Sequence, residues 1–385
     1  IKMEFKQDLK EEYAKIGISY FPLDPVIKGS LFNRAEDFIV REIFRENCDI
    51  NANPKKYLHG ILVKRNISTF DACKVFADCN GFDYFKDISF CGLKDTFGLT
   101  SQKICIKNNG KIRRTKFLKF FIKNLSISDI RLNQCDHEGN NFVIKIRNCD
   151  INEDTKNNII HVENIIHKGL PNYYGPQRFG VCQNNHHLGK LLVLGKYDLF
   201  IKNYLTTSKN ESQEIQDIRR KISENYDNLV FCRDLVKGTE ELSSEFELLE
   251  NLLIMDKISA IKSMKLSKFF VQSYVSYLFN LALSKSLSKD YIDSDIIRIG
   301  NKSSLDDFNY QLYKDILKSE RIKLSDFKKC DFELEQKYRK TLFFPQNFSY
   351  KVEERDITLE FDLGIGEYAS LFLDFIVVND KFKLN

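Results

Sequence analysis

Tryptophan is absent from this 385-residue chain, and proline and methionine are scarce at 6 and 3 residues. Uninterrupted apolar runs reach only about four residues, as in Leu191–Leu194 and Phe375–Val378, whereas a bilayer-crossing helix needs roughly 18 to 20. No membrane partner is therefore expected. The opening residues IKMEFKQDLKEEYAK have no apolar core and no small-residue cleavage site, so export is not expected either. Ten cysteines stand at 48, 73, 79, 91, 105, 135, 149, 182, 232 and 330, never as C-x-x-C. They read as reduced thiols of an intracellular protein, cytoplasmic or, in a eukaryote, nuclear. With no H-E-x-x-H and no Cys/His cluster, no metal site is expected.

What is present is ordinary globular material. Apolar residues make up 43% and charged residues 29% of the chain, enough to bury a sizeable core, and the length suits about two domains. The net charge of +5 hides an uneven distribution. Lys103, Lys107, Lys111, Arg113, Arg114, Lys116, Lys119 and Lys123 are eight bases in a stretch without an acid, interleaved with Phe117, Phe120 and Phe121. Such a stretch can neutralise phosphates while its rings anchor it, although a solvated face has the same composition. Glu240–Asp256 carries six acids and no base, a surface that a nucleic acid would avoid.

Periodicity divides the chain in three. Asn141–Arg147 and Gln102–Lys107 partly alternate as half-buried strands do, and a helix is predicted over about Asp154–His167, stopped by Gly169 and Pro171. Helical patterns then dominate, for example over Glu245–Ile258 and Gln272–Leu287. Ile357–Leu363 returns to strict two-residue alternation. A β-rich start, a helical middle and a β return imply a sheet domain with a helical insertion.

Three short segments look less like packing than the rest. Gly92–Gln102 is a loop that presents Asp95 beside Lys94; its bland reading is an aspartate capping its own turn. Asn172-Tyr173-Tyr174-Gly175-Pro176-Gln177-Arg178-Phe179-Gly180 combines rings, amides and an arginine, the groups that stack and hydrogen-bond a base, or else form a rigid turn. Ala35–Glu42 reads blandly as an amphipathic edge strand. His186 and His187 suit a helix start or the surface, with phosphate contact as the sharper alternative. Tyr274, Tyr277 and Phe279 stand at helical spacing and read as core.

Together these segments resemble the TruD family of pseudouridine synthases, and its archaeal and eukaryotic members in particular. The family's E-D-F-x-V-x-E, G-x-K-D-x-x-A-x-T-x-Q, N-Y-F-G-x-Q-R-F-G, S-x-L-F-N and G-S-Y-A-T elements stand here, in order, as Glu36–Glu42, Gly92–Gln102, Asn172–Gly180, Ser276–Asn280 and Gly366–Ser370. The resemblance implies an α+β pseudouridine synthase fold with a mixed, largely antiparallel sheet. It places the catalytic domain at 1–183 and 341–385 and a mainly helical TRUD-type insertion at 184–340. It implies isomerisation of an RNA uridine, most characteristically uridine 13 of tRNA, without a cofactor. Asp95 would be the catalytic carboxylate and Tyr174 the stacking ring; Asn172 would position, and Phe38, Glu42 and Lys94 would line the pocket. Arg113, Arg114, Lys116 and Arg178 would contact RNA, with no DNA partner and a monomeric chain expected. Where the family has a lysine six residues before the E-D-F phenylalanine, this chain has Phe32, which leaves Arg34, Lys28 or Lys94 to supply the cation and motivates a rival reading as a catalytically impaired RNA-binding protein or tRNA chaperone.

Overall fold

The computed structural model describes residues 9–44, 56–108, 112–133, 136–209, 211–288, 295–301 and 304–378; Cys48, Lys111 and Cys135 lie outside them. The described residues of Pro25–Leu170 and Phe344–Phe382 form one compact unit, and those of Ile1–Asp24 and Pro171–Phe343 form another.

The first unit is an α+β layer built on an eight-stranded mixed sheet. Its strands are β1 (Phe38–Phe44), β2 (Tyr57–Arg65), β3 (Ile88–Phe90), β4 (Leu99–Lys107), β5 (Phe120–Ser128), β6 (His137–Ile146), β7 (Gln346–Glu353) and β8 (Asp356–Gly364). They run in the order β7-β8-β6-β1-β4-β2-β5, with β3 added to β4. Only the β1–β4 pair is parallel, and every other pair is antiparallel. The alternation read over Ile357–Leu363 puts Ile357, Leu359, Phe361 and Leu363 on the buried face of β8. Phe361 stacks on Phe142 at 5.5 Å and meets Phe372 of the helix Ala369–Ile376 edge-on at 4.6 Å. On the other half of the sheet the helix Thr69–Asn80, capped by Ser68, buries Ala72, Cys73, Phe76 and Ala77 against Leu62, Ile104, Ile106, Phe120 and Ile122.

The Ala35–Glu42 segment is not at an edge. A short 3-10 turn leads into β1, which lies inside the sheet between β6 and β4. This explains its alternation of buried Phe38, Val40 and Glu42, because an inner strand facing a packed layer must be apolar or paired on that side.

The second unit is helical. Its centre is Ser267–Leu287, which buries residues on all sides, including Val271, Tyr274, Leu278, Phe279 and Leu283. The neighbouring helix Asn185–Val193 passes so close that a Cβ on Gly189 would sit 2.0 Å from the Phe270 carbonyl oxygen, a spacing only glycine permits. The helix expected over Glu245–Ile258 is two helices, Ser243–Ile254 and Lys257–Ser263. Met255 is extended, and the Asp256 carboxylate accepts from the Ile258 and Ser259 amides, so a side-chain cap wins over continued helix.

Candidate active site

The parallel β1–β4 pairing sets Ile39 beside Leu99, so the loop entering β4 lies against the start of β1. That loop carries Asp95 and is tied down along its length. Gln102 donates its amide to the Gly92 carbonyl (2.8 Å) and receives the Thr69 hydroxyl (2.8 Å). Asn66 accepts from the Gly98 amide at 3.0 Å and donates its own amide to the Gly98 carbonyl. Gly98 has φ +107°, and a Cβ there would lie 2.5 Å from the Phe38 carbonyl oxygen. The turn is therefore capped by Asn66 and Gln102. Among the described residues no amide donates to the Asp95 carboxylate, which is partly exposed and leaves its lone pairs for another partner.

Glu42 and Lys94 are buried together. Lys94 Nζ donates to Glu42 Oε1 at 2.6 Å, and the Lys103 amide donates to Oε2 at 2.9 Å; the two side chains are 3% and 0% exposed. They pin the loop from below and present no open wall. His137 sits beside them, kept neutral because burial, and then Lys94, push its pKa down. Breaking a buried pair on one side leaves an uncompensated charge. Glu42→Gln is expected to lower unfolding free energy by about 3–5 kcal/mol, read from the denaturant midpoint, with the Glu42→Gln/Lys94→Met double variant recovering part of it. A single-variant loss under about 1 kcal/mol would contradict this assignment.

A buried cation that holds the Asp95 backbone is Lys64, which sequence reasoning missed. Its ammonium donates to the carbonyl oxygens of Asp95 (2.5 Å) and Lys94 (3.3 Å). Burial pushes its pKa down to about 8, opposed by the negative charge of Asp95 and reinforced by Lys94. The signal lay in β2, where Gly60, Leu62 and Lys64 follow two-residue spacing on one buried face. Phe32 packs edge-on against Phe38 (5.1 Å) and Phe97 (6.1 Å), so aromatic packing occupies that corner.

In the helical unit the Asn172–Gly180 segment is organised by Asn280 and by Arg339, the second group that sequence reasoning missed. Asn280 accepts from the Tyr174 amide (2.8 Å) and donates to the Tyr174 and Ile16 carbonyls. Arg339 donates to the Asn172 backbone oxygen (3.0 Å) and to Oδ1 (2.5 Å), and its guanidinium lies 4.3 Å from the Tyr174 ring centre. Because arginine only donates, the Asn172 side-chain oxygen must face it, which leaves the amide NH₂ as the outward donor. Tyr174 is largely buried and meets Phe279 edge-on at 5.5 Å. Arg178 donates to Ser276 Oγ (3.3 Å) and Gln272 Oε1 (3.1 Å) and lies over the Phe269 ring, which ties the turn to the central helix.

Tyr274 and Phe279 are core. His186 is neither at the surface nor charged: it stacks on Tyr277 at 4.6 Å, and burial pushes its pKa down to about 3. At 1% exposure its ring is closed off from a phosphate at the surface. Arg113, Arg114 and Lys116 are exposed on the connection between β4 and β5, where Asn80 accepts the amides of Arg113 and Arg114 and the Arg114 guanidinium lies over Phe117.

The family model described as tRNA pseudouridine synthase D (TruD) matches residues 15–311. A protein of Methanococcus maripaludis designated tRNA pseudouridine synthase D 1 is 28% identical, over 88% of this chain and 96% of its own. One of Pyrococcus furiosus designated tRNA pseudouridine synthase D is 27% identical, over 94% and 98%. The crystal structure assigned to tRNA pseudouridine synthase D of Methanosarcina mazei is similar in fold, with a TM-score of 0.73 at 22% identity over 95% of this chain and 98% of that one.

Proposed function

Because the chain belongs to the tRNA pseudouridine synthase D family, a family of RNA-modifying isomerases, we propose that it converts uridine 13 of tRNA to pseudouridine with Asp95 as the reacting carboxylate. The observation that carries this reading is a tied-down loop that holds a partly exposed carboxylate, free of donors among the described residues, with a buried lysine on its backbone. The reaction breaks the C1′–N1 bond, joins C1′ to C5, and exchanges the C5 proton for one on N1, so it is redox-neutral and needs no external group. Asp95 either attacks C1′ or takes the C2′ proton during cleavage. Lys64 keeps positive charge at the loop where the detached uracil gathers negative charge.

The uridine must leave its stack, at a cost of a few kcal/mol, to reach the carboxylate. Tyr174 supplies the aromatic face and Asn172 a donor for the base. Phe38, Glu42 and Lys94 act by positioning the Asp95 loop. Lys64, whose ammonium bonds the Asp95 backbone carbonyl, supports this reading over the impaired-enzyme one that Phe32 in place of the usual lysine motivates. Pseudouridine mapping of a tRNA transcript after incubation with the protein tests the target: one modification at uridine 13 is expected, and modification elsewhere or nowhere would overturn it.

Arg113, Arg114 and Lys116 serve as phosphate contacts, with Arg178 shaping the turn near the base. Replacing the first three by glutamine should weaken tRNA binding and flatten the log–log salt slope by about two to three units. An unchanged slope returns this stretch to solvated surface.

A further inference from the structure

The Asp95 loop also carries a ring that packs on one edge and leaves much of its surface exposed. Phe97, two residues beyond Asp95, is 40% exposed, yet it is not loosely held. It meets Phe32 edge-on at 6.1 Å, and Phe32 meets Phe38 edge-on at 5.1 Å. Phe32 holds φ +57°, a left-handed conformation that costs a bulky residue on the order of 1–3 kcal/mol. The next residue, Gly98, has no side chain where a Cβ would lie 2.8 Å from the Phe38 ring. The edge contact from Phe32, whose own backbone is strained, thus holds an exposed apolar ring on the loop, two residues from the reacting carboxylate.

We propose that Phe97, buttressed by Phe32, is a stacking platform for the nucleobase adjacent to the target uridine. The inference rests on the reading of Asp95 as the reacting carboxylate. In that reading the target uridine is held at the Asp95 carboxylate, so the flat group met by a ring two residues further along the same loop is a neighbouring base. Base–aromatic stacking contributes on the order of 1–3 kcal/mol and needs no particular base identity.

The test uses the full chain and tRNA transcripts carrying 5-tritiated uridine at position 13, intact or with an abasic site at position 12 or 14. On intact RNA, Phe97→Ala should lower kcat/KM for tritium release about 10- to 100-fold, and Phe97→Trp should stay within about threefold of wild type. On one of the two abasic RNAs the Phe97→Ala penalty should shrink below about threefold, because the ring has lost its partner. If Phe97→Ala does not fold, Phe97→Leu, which keeps the apolar bulk, carries the same comparison. A penalty of equal size on both abasic RNAs, or none on intact RNA, would overturn the proposal and leave Phe97 as a packing residue or a protein contact. Wild-type inactivity on intact RNA, or full activity of Asp95→Asn, would instead sink the underlying reading of the loop.

Discussion

Asp95→Asn should lower tritium release from 5-tritiated tRNA by about 10³-fold or more, a loss of at least about 4 kcal/mol in transition-state stabilisation. The substitution removes the negative charge and the basic lone pair together, so it disables either role open to Asp95, attack on C1′ or removal of the C2′ proton. The fold should not suffer, because the loop is anchored through Gly92, Lys94 and Gly98 and through the Asp95 backbone carbonyl, none of which needs the carboxylate. The unfolding midpoint is expected to hold within about 0.5 kcal/mol, and tRNA binding within about threefold. If the variant kept a tenth of wild-type activity, the chemistry would belong to another group, and Glu42 would be a poor heir because it is buried and paired.

The strands and the loop that carries Asp95 could be read in the sequence because both depend on local pattern, whereas Asp95 itself stood out only through the motif it shares with the family. Ile357–Leu363 alternates, and the Asp95 loop stands between strand-like runs. What stayed hidden depends on partners far apart in the chain. Glu42 and Lys94 are separated by 52 residues, and each alone reads as a polar group fit to line a cleft; only the β1–β4 register makes them a buried pair. Lys64 and Asp95 are 31 residues apart, and the lysine looks like half of a surface Lys64-Arg65 dipeptide until β2 turns it inward. Arg339 lies 167 residues from Asn172, so no local spacing could link them. The break at Met255 was missed for the opposite reason: a purely local cap by Asp256 overrode an apolar pattern that continued across it.

Lys64→Met should lower kcat by about 10²-fold with little change in KM for tRNA, and should change the pH profile in a way that a packing defect would not. The methionine keeps the apolar stem but leaves the Lys94 and Asp95 carbonyls without their donor and Asp95 without its neighbouring charge. In the wild type the ammonium titrates near pH 8, against 10.5 for an ordinary lysine. Activity that depends on the cation should therefore fall as pH rises through about 8. Stability should move the other way: between pH 8 and 10.5 the unfolded chain binds more protons at this residue than the folded one, so the Lys64 contribution to folding grows with pH across that window. Opposed trends in activity and stability over the same range identify a charged functional lysine, because general alkaline denaturation would lower both. In Lys64→Met the alkaline limb near pH 8 should vanish from the residual activity; its persistence there, or a kcat within threefold of wild type, would show that another group supplies the charge.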